Sequence, residues 1–189
     1  MSRMAGLTKK DTKHLMLFSG RSHPALANEV ADLLGTQIVP MRAVTYANSE
    51  INVRFEESVR GSDAFVIQAH HAPVNEWLME QLIMVDALKR ASAKRITVVS
   101  PFYPYARQDK KHAGREPISA RLIADLYLAA GASRVMSVDL HAAQIQGFFN
   151  GPVDHLHALP LLADYVKAKY GNRDLVVVSP DASRVRMAD

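Results

Sequence analysis

Apolar positions along the chain fall into two alternating kinds of segment. Short runs rich in β-branched residues occur at LMLFS, AFVIQAH, RITVVSP, RVMSVDLH and LVVVSP. Unbroken apolar runs of this length predict strands covered on both faces, as in a mostly parallel sheet. Between them, apolar residues recur three and four apart, first at Leu26, Val30, Leu33 and Leu34, then at Leu78, Leu82, Val85 and Leu88. That spacing predicts helices with one face turned to the sheet. Pro24 and Pro117 suit first helical turns, Asn75 an N-cap, and Gly35 and Gly131 the residues that follow a helix. One segment departs from the alternation: QIVPMRAV, YANSE and INVRFEES predict a strand, a tight loop and a second strand, a small antiparallel hairpin near residues 38–56. The expected fold class is therefore α/β, a mostly parallel sheet flanked by helices with one hairpin appended.

Composition bounds this picture without redirecting it. The chain has 189 residues, 48% hydrophobic and 22% charged, enough for one well-cored domain and the start of a second. It has no cysteine, which excludes disulfides, thiolate metal sites and cysteine nucleophiles, and fits a reducing compartment. Residues 1–13 carry no apolar stretch and read as a flexible tail rather than a targeting signal. No run approaches the ~20 apolar residues of a bilayer span, so the expected setting is cytoplasmic, with no membrane partner. A net charge of +4 favours anionic partners. Its concentration on one loop, rather than along a helix, argues against nucleic acid.

In open α/β sheets, ligands sit beyond the carboxyl ends of the strands. The loops in that position follow Ser100, Asp139 and Ser179. The first begins SPFYPYARQDKK, in which two prolines and three aromatic residues stiffen the approach to Arg107, Gln108, Asp109, Lys110 and Lys111. Arginine grips phosphate oxygens with paired hydrogen bonds and lysine adds a point charge, so the run suits a polyphosphate. A solvated charge run fits the same residues, but a connection of this length without structure of its own is uncommon unless functional. Asp139 and His141 end one strand and Asp181 ends the next predicted strand, which would bring them around one cation. Carboxylates beside polyphosphate oxygens suit Mg2+, although histidine is an atypical ligand for it and His141 could equally be satisfied by backbone. YANSE offers the Tyr46 ring with Asn48 and Glu50, enough to stack on and read a purine, and it also fits an ordinary hairpin turn. There is no GxxxxGK[ST] loop and no Gly-rich dinucleotide fingerprint, so a nucleotide would be held by side chains and strand-end loops.

Taken together, SPFYPYARQDKK, REPISARLIADL, SVDLHAAQIQGFF and VVVSPDASRVR resemble the ribose-phosphate pyrophosphokinases, the phosphoribosyl diphosphate synthases. The likeness runs from about Leu15 to the last residue, with FSGRSHPALA, VRGSDAFVIQ and MEQLIMVDALKRASAKRIT in family order. It implies a phosphoribosyltransferase-like domain over 14–174, with residues 175–189 opening a second one that this chain does not contain. It further implies transfer of the diphosphoryl group of Mg-ATP to O1 of ribose 5-phosphate, giving phosphoribosyl diphosphate and AMP. Carried over by position, Arg107, Gln108 and Asp109 contact ATP, His141 and Asp181 attend the Mg2+, and Tyr46, Asn48 and Glu50 reach adenine bound to a neighbouring copy, so a homo-oligomer is expected.

The departures set the limits of that expectation. The family's mobile basic loop, which supplies the catalytic lysine and arginine, and its Thr-Gly-Gly-Thr motif, which holds ribose 5-phosphate, are not in this sequence. No catalytic residue is assigned here, and ATP binding without turnover is expected. A non-catalytic subunit that regulates a full-length partner is the alternative. Tyr46 stands where the family usually has Phe, and Ser49 and Ser183 where it usually has Gly. If either position needs a positive φ, serine costs about 1 kcal/mol there.

Overall fold

The computed structural model describes residues 15–171 and 173–179. The chain divides into two compact units, one ending at Leu156 and one beginning at His157.

In the first unit, five strands form one parallel sheet: β1 (Leu15–Ser19), β4 (Asp63–Ile67), β5 (Arg95–Val99), β6 (Arg134–Val138) and β7 (Val153–Leu156), in the order β1-β4-β5-β6-β7. Three helices connect them: α1 (Pro24–Leu34), α2 (Val74–Arg90) and α3 (Ser119–Ala130). The apolar runs become strands because both of their faces are covered. Phe18, Ala64, Val66 and Val98 are wholly buried, as are Met84, Val85 and Leu88 of α2. Each large apolar side chain so buried contributes about 1.5–3 kcal/mol. Two polar side chains in this core pair with each other and with backbone: the Tyr127 hydroxyl donates to Gln81 Oε1 at 2.8 Å, and Gln81 Nε2 donates to the Val66 carbonyl at 3.0 Å.

The expected hairpin is present as β2 (Met41–Thr45) and β3 (Ile51–Phe55), a separate antiparallel sheet. It packs through Phe55, whose ring meets Phe18 edge-on at 4.7 Å. Its turn is a type I turn followed by a bulge. Ser49 N donates to Tyr46 O, Tyr46 N donates to Glu50 O, and Ser49 occupies the left-handed region with φ 70°.

Several local expectations are corrected. LVVVSP forms no strand within its described residues, and Val176, Val177 and Val178 are exposed. The fifth strand of the sheet is instead β7, whose sequence VDHL gives no apolar run. Asn75 lies inside α2, whose cap position is Pro73. Pro117 precedes the Ile118 cap of α3. On α1 the buried positions are Ala27 and Ala31, small enough for close approach to the sheet, while Leu33 faces solvent at 84% exposure. In the second unit, α4 (Leu159–Tyr170) has no fully buried residue.

Candidate functional site

The carboxyl ends of the parallel strands lie level, because the ladder continues past each strand: Gly20 N bonds Ile67 O, Gln68 N bonds Val99 O and Ser100 N bonds Met136 O. Loops leaving this edge share one floor.

Under the first loops that floor is a buried polar network. Glu80 of α2 is fully buried, and its carboxylate accepts Arg21 N at 2.7 Å, Arg21 Nε at 2.6 Å and Gln68 Nε2 at 3.2 Å. Gln68 Oε1 accepts the Ser22 hydroxyl at 2.6 Å. A Cβ at Gly20 would lie 2.1 Å from Gln68 Oε1, so a larger residue there would push the Gln68 amide out of this network. His71 spans the same loops, with its two ring nitrogens 3.1 and 2.7 Å from the carbonyls of Ser22 and Ala72. Those two acceptors raise its pKa, because only the imidazolium donates to both.

The loop between β5 and α3 is fastened at several points. Tyr103 is buried and donates to Ala120 O at 3.0 Å, and Tyr105, at φ 58°, places its hydroxyl on Asn75 Oδ1. Asn75 thus serves the loop rather than the helix end. Gln108 accepts at both its side chain and its backbone, from Ser119 Oγ at 2.5 Å and Ala120 N at 3.1 Å, and so anchors the start of α3. Glu116 closes the loop on the amides of His112 and Ala113, which hold its carboxyl below the usual range. Arg107, Lys110 and Lys111 remain exposed on this frame.

Asp109 behaves differently from its neighbours. It is buried, and its Oδ2 accepts Gln144 Nε2 at 2.7 Å. Gln144 belongs to a short 3-10 turn, Ala143–Gly147, in the loop that follows β6. One hydrogen bond therefore joins the basic loop to the loop bearing Asp139 and His141. That second loop is pinned to β7: Asp139, at φ 46°, donates its amide to Leu156 O at 2.9 Å, and Leu140 N donates to His155 Nε2 at 2.9 Å. Positive φ at Tyr105 and Asp139 costs roughly 1–2 kcal/mol each for L residues, and both sit in these two loops. Beneath them the His70 imidazole bonds Ser100 Oγ at 2.9 Å, and burial lowers its pKa to about 4.

The structure therefore brings Arg107, Gln108 and Asp109 beside the His141 loop. Tyr46, Asn48 and Glu50 stand on the separate hairpin, exposed. Asp181 and Ser183 lie outside the described residues. Among the described residues no three His, Cys, Asp or Glu side chains converge on a cation position. Mg2+ nevertheless fits the loop chemistry, since one or two protein groups suffice when phosphate oxygens and water complete its shell. The anchoring roles of Asn75, Gln144 and His155 had no signal in the sequence, because each depends on a partner 15 to 35 positions away. No helix among the described residues is long and apolar enough to cross a membrane.

Comparison with known proteins places this arrangement. Residues 15–131 match the model of the N-terminal domain of ribose phosphate pyrophosphokinase. The chain is 68% identical over 181 residues to the ribose-phosphate pyrophosphokinase of Corynebacterium efficiens, covering 96% of this chain and 56% of that protein. It is 66% identical over 186 residues to the enzyme of the same name from Streptomyces coelicolor, covering 98% and 57%. The crystal structure of phosphoribosylpyrophosphate synthetase from Mycobacterium smegmatis superposes with a TM-score of 0.89 at 65% identity, over 93% of this chain and 59% of that one. The chain spans little more than half the length of these relatives. On the family-model match and these relatives, with the fold superposing closely, the chain belongs to the ribose-phosphate pyrophosphokinase family.

Proposed function

We propose that this chain forms the ATP-holding half of a ribose-phosphate diphosphokinase and binds Mg-ATP without turning it over unaided. The observation that carries the reading is the Asp109–Gln144 hydrogen bond, which fixes the Arg107 loop against the His141 loop. Arg107, with Lys110 and Lys111 beside it, faces the phosphates, while Gln108 and Asp109 hold the backbone that presents them. His141, with Asp181, holds the Mg2+. When bound, the ion neutralises charge on the β- and γ-phosphates. Attack by the sugar O1 at the β-phosphorus builds negative charge on the equatorial oxygens and on departing AMP. A cationic loop fixed in advance stabilises that charge without reorganising.

Tyr46, Asn48 and Glu50 read adenine on a neighbouring copy, which makes the working form a homo-oligomer; the absence of cysteine fits a cytoplasmic setting. On this reading, ribose 5-phosphate and the groups that activate it are held outside this chain. Calorimetric titration with Mg-ATP, paired with an AMP-release assay in the presence of ribose 5-phosphate, tests the reading. Heat of binding without AMP is expected, and sustained AMP release by this chain contradicts it.

A further inference from the structure

The hairpin that carries Tyr46 is supported differently at its two ends. Its base is tied to the main sheet by backbone: Val39 N donates to Leu17 O at 2.8 Å, and Ile38 forms a bridge with Leu17. Its middle packs through Met41, Val53 and Phe55 against the apolar core. These contacts fix where the hairpin starts and which face it buries. They leave the direction of its tip to whatever holds the last residue of β2.

That residue is Thr45, and its Oγ1 accepts Arg21 Nη2 at 2.9 Å. Arg21 is itself immobilised, because its Nε lies 2.6 Å from Glu80 Oε2 and its amide 2.7 Å from Glu80 Oε1. A guanidinium presents its donors in a fixed fork, so holding one edge on a buried carboxylate aims the other. The strut thus runs from α2, through the loop after β1, to the position next to Tyr46.

We infer that Arg21 is a positioning residue for base recognition: seated on Glu80, it sets the direction of the hairpin tip through Thr45, and so places the Tyr46 ring against adenine. This rests on the reading of Tyr46 given above. It adds a link between the nucleotide-facing tip and the polar floor of the strand-end loops.

The clean perturbation is Thr45→Val, which removes the acceptor and keeps the β-branched shape. Binding of Mg-ATP to the full chain is compared with binding of Mg-tripolyphosphate, which has no base to read. Thr45→Val is expected to weaken Mg-ATP about fivefold, the scale of one lost hydrogen bond, while tripolyphosphate stays within about twofold. Amide exchange at Tyr46 and Ser49 should quicken, and Thr45→Ser, which restores a hydroxyl, should return both readouts. Equal weakening of the two ligands, or unchanged exchange at the tip, overturns the positioning role. Tyr46→Ala, measured alongside, separates the premises. Unaltered Mg-ATP affinity there removes the adenine role of the tip, and a weakened Tyr46→Ala beside an unaffected Thr45→Val removes the strut alone.

Discussion

Replacing Glu80 by glutamine preserves shape while altering a single oxygen, and the structure sets the size of the effect. The carboxylate is fully buried and takes three donors, two from Arg21 and one from Gln68. An amide has one oxygen, so whichever way it turns, its NH2 group faces an Arg21 N–H and two donors oppose each other. Losing one charge-assisted bond costs roughly 1.5–3 kcal/mol, and breaking a buried ion pair from one side costs about 3–5 kcal/mol. The Arg21 side chain is 33% exposed, so water takes up part of its charge and the lower end applies. We expect a loss of about 2–3 kcal/mol, equivalent to a fall in melting temperature on the order of 5–10 °C for a chain of this size. Trp77 is the only tryptophan, and its carbonyl accepts Gln68 Nε2 at 3.3 Å, so its fluorescence reports unfolding at the network itself. In urea the midpoint should drop with the slope unchanged, and in an Arg21→Met background the same substitution should cost at least about 1 kcal/mol less. A loss under about 0.5 kcal/mol, or the same loss in both backgrounds, would show that Glu80 and Arg21 are not coupled in this way.

Ser49→Gly should stabilise the hairpin by about 0.5–1 kcal/mol, since relief of a left-handed serine exceeds the extra entropy glycine loses on folding; thermal unfolding checks the sign. His70 has its pKa lowered to about 4 by burial, below an unfolded value near 6.5, so the unfolded chain binds more protons between those limits. The stability its neutral form contributes is complete above pH 6.5 and is lost as pH falls toward 4, by about 1.4 kcal/mol per unit. His70→Gln should flatten that slope in urea titrations at stepped pH. Gln144→Ala leaves the buried Asp109 carboxylate without its partner, and should lower stability by about 1–3 kcal/mol while weakening Mg-ATP binding.

Much of this architecture was legible because it is written in local pattern. Four of the five β-branched runs became parallel strands, since continuous apolar runs can be satisfied only between covering layers. The hairpin followed from strand, turn and strand, and Ser49 does occupy the left-handed position that made serine there costly. The failures share a different cause. LVVVSP has the composition of a strand, but strand formation depends on a paired neighbour that composition does not specify, and β7 joined the sheet through VDHL without any apolar signature. Leu33 fits the helical spacing, yet α1 approaches the sheet over Ala27 and Ala31. At the site, residue type located the basic loop and the His141 loop. Their attachment through Gln144 and His155 depends on contacts that exist only once the sheet has set the two loops side by side.

The claim on which the rest depends is that the loop after β5 holds the triphosphate. Calorimetric titration of the Arg107→Ala chain with Mg-ATP tests it most directly, because Arg107 is exposed and its loss leaves the anchored frame intact. At least about a tenfold loss of affinity is expected, the scale of a paired arginine–phosphate contact, with unfolding unchanged. Undiminished Mg-ATP affinity in that variant would contradict it.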